Sequence, residues 1–252
     1  DQRVEMGLWR EDSRTFRFAK WLEGKFLQKA SVVFALSSAA VEAMKKWPSV
    51  RGHSINFEVV TTCTDLDLFQ PPAEGPRFNP EKPFTIGYVG SAGQGYLFEP
   101  VLDIVLEIQR LKPDARLKIV NRKDHVLIQE LLNAREIDPA AVELLSCDYP
   151  EVPKNMGDMD IGLFFYQWKK THVSSVPTRM GEFLACGVPC LSNVGGAGII
   201  EILEKEGVGV VLRNFDAQSV RNAAVAAIDL ATDNEHRIRC TESAKRHFSL
   251  EA

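Results

Sequence analysis

The sequence predicts an α/β fold in which a doubly wound parallel sheet of six strands follows an incomplete second α/β domain. Six short apolar runs alternate with helical patterns between residues 84 and 213, and helices that cover both faces of a parallel sheet account for this alternation. A proline-rich stretch at 73–83 keeps no sustained period and predicts a linker. The predicted parts are therefore residues 1–72, the incomplete domain; 84–230, the complete domain; and 231–252, a C-terminal helix that packs back towards the N-terminal part.

The N-terminal part contains too few strands to form a sheet of that size. An amphipathic helix is predicted over residues 14–30, where apolar side chains up to Phe26 recur at helical spacing. Short apolar runs at 31–37 and 57–60 predict strands, and a serine at the end of the first run caps the helix between them. We therefore interpret this part as the last elements of another domain. The absence of an initial methionine also leads us to expect a missing upstream part.

The complete domain is predicted as alternating strands and helices. In chain order its strands are FTIGYVG, RLKIV, VELLS, DIGLFFY, VPCLS and VGVVL. The helices between them cover 97–111, 125–134, 152–156, a stretch that opens at Pro177, and 199–206. Asp216 caps a final alanine-rich helix, which a polar helical tail follows.

Composition and charge exclude several classes of protein. The 252 residues carry a formal net charge of -4, which predicts no general electrostatic binding to nucleic acid. Five scattered cysteines argue against a secreted disulfide framework. The sequence contains no apolar run of about 18 residues, so we predict no transmembrane helix. We expect a cytoplasmic protein, with peripheral attachment of the full-length protein to a membrane as the alternative.

Three loops at the carboxyl ends of the predicted strands could bind a ligand, because ligands bind at that edge of an open parallel sheet. The first, YVGSAGQGY at 88–96, is rich in glycine and contains Gly90 and Ser91. It resembles a phosphate loop, although it matches neither the Walker pattern nor the dinucleotide fingerprint. A simple tight turn is the alternative. The third loop, SNVGGAG at 192–198, could approach a sugar or phosphate in the same way.

The second loop leads into the helix that opens at Pro177. Backbone N–H groups in a first helical turn have no internal partners and can bind an anion. Arg179 and Glu182 lie three residues apart on one side of this helix, about 4.5 Å apart along its axis at 1.5 Å per residue. A diphosphate near the arginine and ribose hydroxyls near the glutamate would explain both charges. A solvated surface pair is the alternative.

Other polar features have ordinary explanations, so we predict no metal site. The acidic triplets at 65–67 and 158–160 lie in a linker and at a strand entrance, and Cys186 and Cys190 lie in an apolar segment without further ligands. His172 is interpreted as a solvated loop histidine. The cluster at 168–170, a tryptophan and two lysines, is too short to predict a nucleic-acid surface.

The sequence resembles retaining GT-B glycosyltransferases of the family-4 type. VPTRMGEFLACGVPCLSNVGGAGIIEIL is similar to the donor-site signature of that family. ASVVFALSSAAVEAMKKW and FEVVTTCTDLDLFQP resemble the end of its N-terminal domain and the crossing linker. The resemblance spans nearly the whole chain and is most specific at 174–201. It implies a GT-B, Rossmann-like fold.

The resemblance also implies roles for individual residues. Glu182 and Arg179 are the catalytic residues, the glutamate holding the ribose hydroxyls and the arginine replacing a lysine near the helix start. Tyr149 lies beside the base. The donor-binding residues are Gly90, Ser91, Asn121, Arg122, Tyr149, Ser174, Ser175, Val176, Pro177 and Thr178.

By the same resemblance, the protein transfers a sugar from a nucleotide diphosphate sugar to an acceptor with retention. The acceptor is a carbohydrate, a lipid-linked sugar or a small molecule, and neither a metal nor another cofactor is expected. Two positions depart from the family: Ser174 replaces a second glutamate, and the glycine-rich loop lacks its basic pair. We therefore expect weak or no transfer by this chain alone. A non-catalytic nucleotide-sugar-binding or structural module, and an epimerase or phosphorylase of the same architecture, stay open as alternatives.

Overall fold

The computed structural model describes residues 2–5, 7–75, 78–93, 95–167, 176–193 and 197–250. It contains two compact units. The first is formed mainly by Asp1–Thr62, and the second by Cys63–Gln167, Pro177–Gly195 and Ile199–Ala252. Among the helices described, none is long and apolar enough to span a bilayer.

The first unit is a small α/β arrangement around a two-stranded parallel sheet. Its elements are α1 (Gln2–Glu5), α2 (Arg14–Lys29), β1 (Val33–Ala35), α3 (Ser38–Lys45) and β2 (Phe57–Val59). Strand β1 pairs in parallel with β2. The hydroxyls of Ser13 and Ser37 accept hydrogen bonds from the first turns of α2 and α3, as serines at N-caps commonly do.

The second unit contains the six-stranded sheet, which confirms the predicted fold class. The strands are β3 (Thr85–Val89), β4 (Arg116–Val120), β5 (Val142–Leu145), β6 (Ile161–Phe164), β7 (Cys190–Asn193) and β8 (Gly209–Leu212). All neighbouring strands are parallel, in the order β5-β4-β3-β6-β7-β8. The order reverses between β3 and β6, which makes these two strands the topological switch point of the sheet.

Helices alternate with these strands. They are α4 (Phe98–Leu111), α5 (His125–Ala134), α6 (Val152–Gly157), α7 (Thr178–Ala185), α8 (Ala197–Ile200), α9 (Ala217–Thr232) and α10 (Asn234–Phe248). Short 3-10 turns at Pro139–Ala141 and Tyr149–Glu151 and a π-helical turn at Glu201–Lys205 complete the unit. The carboxylate of Asp216 caps α9, as predicted, by accepting from the Ser219 N–H at 3.0 Å.

Alternating side chains place α7 on one face of the sheet. Ile161, Leu163 and Phe165 belong to the core shared with α4 and α9, so Gly162 and Phe164 face the other side. A Cβ at Gly162 would lie 2.6 Å from Cδ1 of Phe183. The missing side chain at this glycine therefore lets α7 approach the sheet closely.

Helix α10 packs against the outer side of α7 within the same unit. A Cβ at Gly181 would lie 2.6 Å from Cδ1 of Phe248 and would also collide with the Thr64 hydroxyl. The Thr64 N–H donates to the Phe248 carbonyl at 2.8 Å. The end of α10 and the segment at Thr64 thus support α7 from behind.

Candidate functional site

The carboxyl ends of β3, β4, β5 and β6 place four segments at one edge of the sheet. They are the glycine-rich loop after β3, the turn from Asn121 to the start of α5, the turn at Tyr149 and the first residues of α7. A topological switch point is where ligands bind in open α/β sheets. This edge is therefore the candidate site.

The start of the glycine-rich loop is fixed by hydrogen bonds. Gly90 has φ +127°, a conformation that side chains disfavour, and its N–H donates to the Val120 carbonyl at 2.9 Å. The Tyr88 hydroxyl donates to the Ser91 carbonyl at 2.5 Å. The loop thus keeps one backbone path beside the site.

Asn121 is buried and holds this loop in place. Its side-chain amide donates to the Gly90 carbonyl at 2.7 Å and to Asp124 Oδ2 at 3.2 Å. Its Oδ1 accepts from the N–H groups of Lys123 and Asp124 at 2.9 and 2.6 Å. These bonds engage the side chain with the protein itself, so Asn121 sets the shape of the loop.

Asp124 was missed by sequence reasoning. It stands at the N-cap of α5 but makes no capping bond. Its carboxylate accepts instead from the Ala92 N–H at 2.9 Å, which ties the glycine-rich loop to α5. Its position three residues after Asn121 resembles an ordinary helix cap, so the sequence carried no signal of this role.

Arg122 is exposed and pairs with Asp148, with 2.5 Å between Nη2 and Oδ1. This pair joins the turn after β4 to the turn after β5. Exposed ion pairs contribute about 0–1 kcal/mol. Arg122 can therefore exchange Asp148 for an anionic ligand at little cost.

The predicted pair on α7 comes together with Gly90 and Tyr149. Arg179 Nε donates to Glu182 Oε2 at 3.2 Å, with side-chain exposed fractions of 29% and 8%. A Cβ at Gly90 would lie 3.1 Å from Cζ of Arg179 and would collide with its Nη1, so the guanidinium lies against the glycine-rich loop. The Tyr149 hydroxyl lies 3.5 Å from Glu182 Oε1.

Tyr149 is half-exposed at the rim of this group. Its ring meets the ring of Phe69 edge-on, with 5.6 Å between the centroids. Partial burial and the neighbouring Glu182 carboxylate raise the pKa of the Tyr149 phenol, so the hydroxyl stays protonated at neutral pH. It can therefore donate to the carboxylate or to a ligand.

The remaining predicted residues near α7 are distributed as follows. Pro177 is the N-cap of α7 and Thr178 its exposed first residue, one position from the predicted start. Val176 is buried and belongs to the first unit, where its carbonyl accepts from the Thr62 hydroxyl at 3.0 Å. Ser174 and Ser175 lie outside the described residues, as do His172, the cluster at 168–170 and the glycines at 195–196.

Two further tyrosines that the sequence reasoning missed lie at this edge. Tyr96 ends the glycine-rich loop and forms an antiparallel bridge with Tyr166, which follows β6. Their ring centroids are 5.2 Å apart. The position of each after a strand was visible in the sequence, but their contact depends on the sheet order.

The metal-like patterns have structural partners. Within the ranges that the structure describes, no group of three His, Cys, Asp or Glu side chains is arranged to hold a metal ion. Asp65 Oδ1 accepts from the N–H groups of Asp67 and Leu68, and Asp158 pairs with Lys118 at 3.2 Å. Burial raises the pKa of the Cys186 thiol to about 12.

A cavity of about 780 Å³ lies at the opposite, amino edge of the sheet. Among its charged groups, Lys118 pairs with Asp158 and Glu143, and Arg237 pairs with Asp160. It lies a strand length away from Arg179 and Glu182. We therefore place the candidate site at the carboxyl edge.

The structure is similar to solved glycosyltransferases. The pneumococcal O-GlcNAc transferase GtfA in complex with UDP and GlcNAc aligns with a TM-score of 0.69 and 12% identity over 97% of this chain and 47% of that one. Sucrose-phosphate synthase from Thermosynechococcus elongatus gives 0.65 and 16% over 95% and 60%. Anabaena HepE in complex with UDP and glucose gives 0.65 and 16% over 92% and 62%.

No family model and no curated protein matches the sequence. The chain spans 47% to 62% of the length of these three solved proteins. At this identity the likeness establishes the fold. The chain therefore has the GT-B type of α/β fold found in these glycosyltransferases.

Proposed function

We propose that this chain is the donor-binding part of a retaining glycosyltransferase. It would bind a nucleotide diphosphate sugar and support transfer of the sugar to a carbohydrate, lipid-linked or small-molecule acceptor. The observation that carries the proposal is the Arg179–Glu182 pair, which lies against Gly90 at the switch point of the sheet. GtfA in complex with UDP and GlcNAc and HepE in complex with UDP and glucose support the same ligand class.

The diphosphate would bind between the glycine-rich loop and the start of α7. The amide N–H groups of Ser91, Gly93 and Tyr96 donate no hydrogen bond to any residue that the structure describes. The first turn of α7 adds further amides and the positive end of its dipole. Arg179 supplies a positive side chain at the same place, so backbone and side chain would together balance the phosphate charge. We propose that these groups act without a bound metal.

The ribose would bind at Glu182. Its carboxylate is acceptor-only when ionised, and a vicinal diol offers two hydroxyl donors. Arg179 and Tyr149 already approach its two oxygens, which fixes the carboxylate for a bidentate contact. The half-exposed Tyr149 ring would then flank the base.

Calorimetry with uridine, guanosine and adenosine diphosphates and their sugars tests this proposal. We expect at least one of these ligands to bind with 1:1 stoichiometry. We also expect little sugar transfer, because the chain spans only part of its solved neighbours. The absence of binding to every ligand of the panel would contradict the proposal and favour a structural module.

A Glu182→Gln variant tests the ribose contact. Hydrogen bonds to a charged group contribute about 1.5–3 kcal/mol, and we expect a loss of about 1–3 kcal/mol in binding free energy of the nucleotide sugar. Glu204→Gln is the control, because Glu204 pairs with Arg213 on the surface and should leave affinity unchanged. Unchanged affinity in Glu182→Gln would refute the assigned role.

A further inference from the structure

We propose that the hydroxyls of Tyr96 and Tyr166 donate hydrogen bonds to the diphosphate, supplementing Arg179 as neutral side-chain donors. This inference rests on the proposed function and identifies two further residues of the donor site. It follows from where the two rings lie, how their backbone is held and what the glycine-rich loop lacks.

The strand pattern places Tyr166 on the side of the sheet that carries α7. Phe165 belongs to the core on the opposite face, and successive side chains alternate between the faces. Tyr166 follows the carboxyl end of β6, and the parallel register aligns β6 with β3, which ends at Val89, directly before Gly90. Tyr166 therefore lies at the edge and on the face where the first turn of α7 presents Arg179.

Backbone contacts hold both tyrosines at this position. The Leu97 N–H donates to the Phe165 carbonyl at 3.0 Å, and the Gln167 N–H donates to the Gly95 carbonyl at 2.8 Å. These bonds attach the end of the glycine-rich loop to the end of β6. As a consequence, the centroids of the two rings lie 5.2 Å apart, and the rings pack side by side next to the loop.

Asn193 fixes the same point from the neighbouring strand. Its Oδ1 accepts from the Tyr166 N–H at 2.9 Å, and its side-chain amide donates to the Tyr166 carbonyl at 2.8 Å. Asn193 is buried at the end of β7. The backbone of Tyr166 is thus fully engaged, which leaves the side chain as the part that a ligand would meet.

The composition of the loop explains why hydroxyl donors would matter. Residues 88–96 contain no Arg or Lys, and Arg122 contacts a ligand only after it exchanges its partner Asp148. Backbone amides, Arg179 and these two phenols are therefore the donors that a diphosphate at Gly90 would meet first. Tyrosine hydroxyls can stabilise developing negative charge in sites that exclude water.

The electrostatics keep the Tyr166 phenol in its donor form. Burial is the largest cause that raises its pKa, Tyr96 adds to the rise, and the positive Arg179 opposes it. Because the pKa lies above its ordinary value of about 10, the hydroxyl is protonated throughout the neutral range. The Tyr96 ring is 38% exposed and can reach a ligand from the loop side.

Two phenylalanine variants, Tyr96→Phe and Tyr166→Phe, remove each hydroxyl and keep the ring. Calorimetry should measure the affinity of uridine diphosphate and of uridine, or of the guanosine or adenosine pair if that base binds more tightly. Each variant should bind the diphosphate roughly tenfold more weakly, which corresponds to about 1.4 kcal/mol. Each should bind the nucleoside like the unmodified chain, and for Tyr166→Phe the tenfold ratio should persist from pH 6.5 to 9.

The two ligands separate a direct contact from a structural effect. If both variants bind the diphosphate as tightly as the unmodified chain, the proposal is wrong. An equal weakening towards diphosphate and nucleoside also overturns it, because a distorted site would affect both. If the unmodified chain binds none of the nucleotides, the proposed function itself fails and this inference fails with it.

Discussion

At the scale of single residues, the charge of Glu182 needs explanation. Its neighbours on α7, Met180 and Phe183, are fully buried, and Glu182 itself is only 6% exposed. Burying a carboxylate costs several kcal/mol unless it is paired. Arg179 offsets part of this cost. An apolar residue at position 182 would avoid the cost altogether. The ribose contact that we propose for Glu182 would account for the retained charge.

A comparison of two glycines tests the contact between the loop and Arg179. Gly90 and Gly95 both have positive φ, +127° and +98°, so alanine is strained at both by about 1–3 kcal/mol. At Gly90 the new methyl group would collide with Arg179, while at Gly95 no atom of the described residues lies within 4 Å. Gly90→Ala should therefore weaken nucleoside diphosphate binding more than Gly95→Ala in calorimetry. Equal affinities would contradict a role of Arg179 at this loop.

Part of the candidate site could be predicted from the sequence, for physical reasons. Arg179 and Glu182 lie three apart on one helix, so helical geometry alone brings them together. Asp124 and Tyr166 act through partners in other elements, Ala92 and Tyr96. Such contacts depend on the order of the strands, which a single sequence does not specify.

At the scale of elements, local patterns predicted the second unit better than the first. Each apolar run became a strand, because a strand buried on both faces needs a continuous apolar sequence. Helix α2 differs: Phe26 was predicted on an apolar side but is 66% exposed. The predicted helix at 199–206 is also divided into α8 and a π-helical turn at Glu201–Lys205. Periodicity identifies helices but does not determine which side is buried or where the helical hydrogen-bond pattern changes.

The packing of α7 against α10 predicts that alanine destabilises the protein at Gly181. Alanine at Gly157, which lies outside this packing, should not. Alanine in a helix is favoured over glycine by about 1 kcal/mol, while overpacking a filled interface costs about 1–3 kcal/mol. At Gly181 the new methyl group would lie 2.6 Å from the Phe248 ring, whereas at Gly157 it would meet Pro72 Cγ at an ordinary 3.4 Å. In urea denaturation, Gly181→Ala should lower the free energy of unfolding and Gly157→Ala should not. A stabilising Gly181→Ala would contradict the close packing of α10 on α7.

At the scale of the whole molecule, the second unit offers two different sheet edges. The carboxyl edge gathers Gly90, Arg179 and Glu182 with loop amides that donate to none of the described residues. The amino edge carries a cavity of about 780 Å³, but Lys118 and Asp158 pair there with each other. The central claim is that the donor binds at the carboxyl edge. A measurement that reports both edges at once can decide between them.

Hydrogen–deuterium exchange with and without saturating nucleotide sugar tests that claim most directly. Exchange at short times reports local opening of the backbone. The peptides whose exchange slows at these times therefore locate the bound ligand. We expect slower exchange in the peptides that contain 90–97, 146–151 and 178–183, and no local change at 72–83 or 140–143 at the amino edge. Protection confined to the amino-edge peptides would contradict the account, and so would unchanged exchange at 90–97 and 178–183 with the ligand bound.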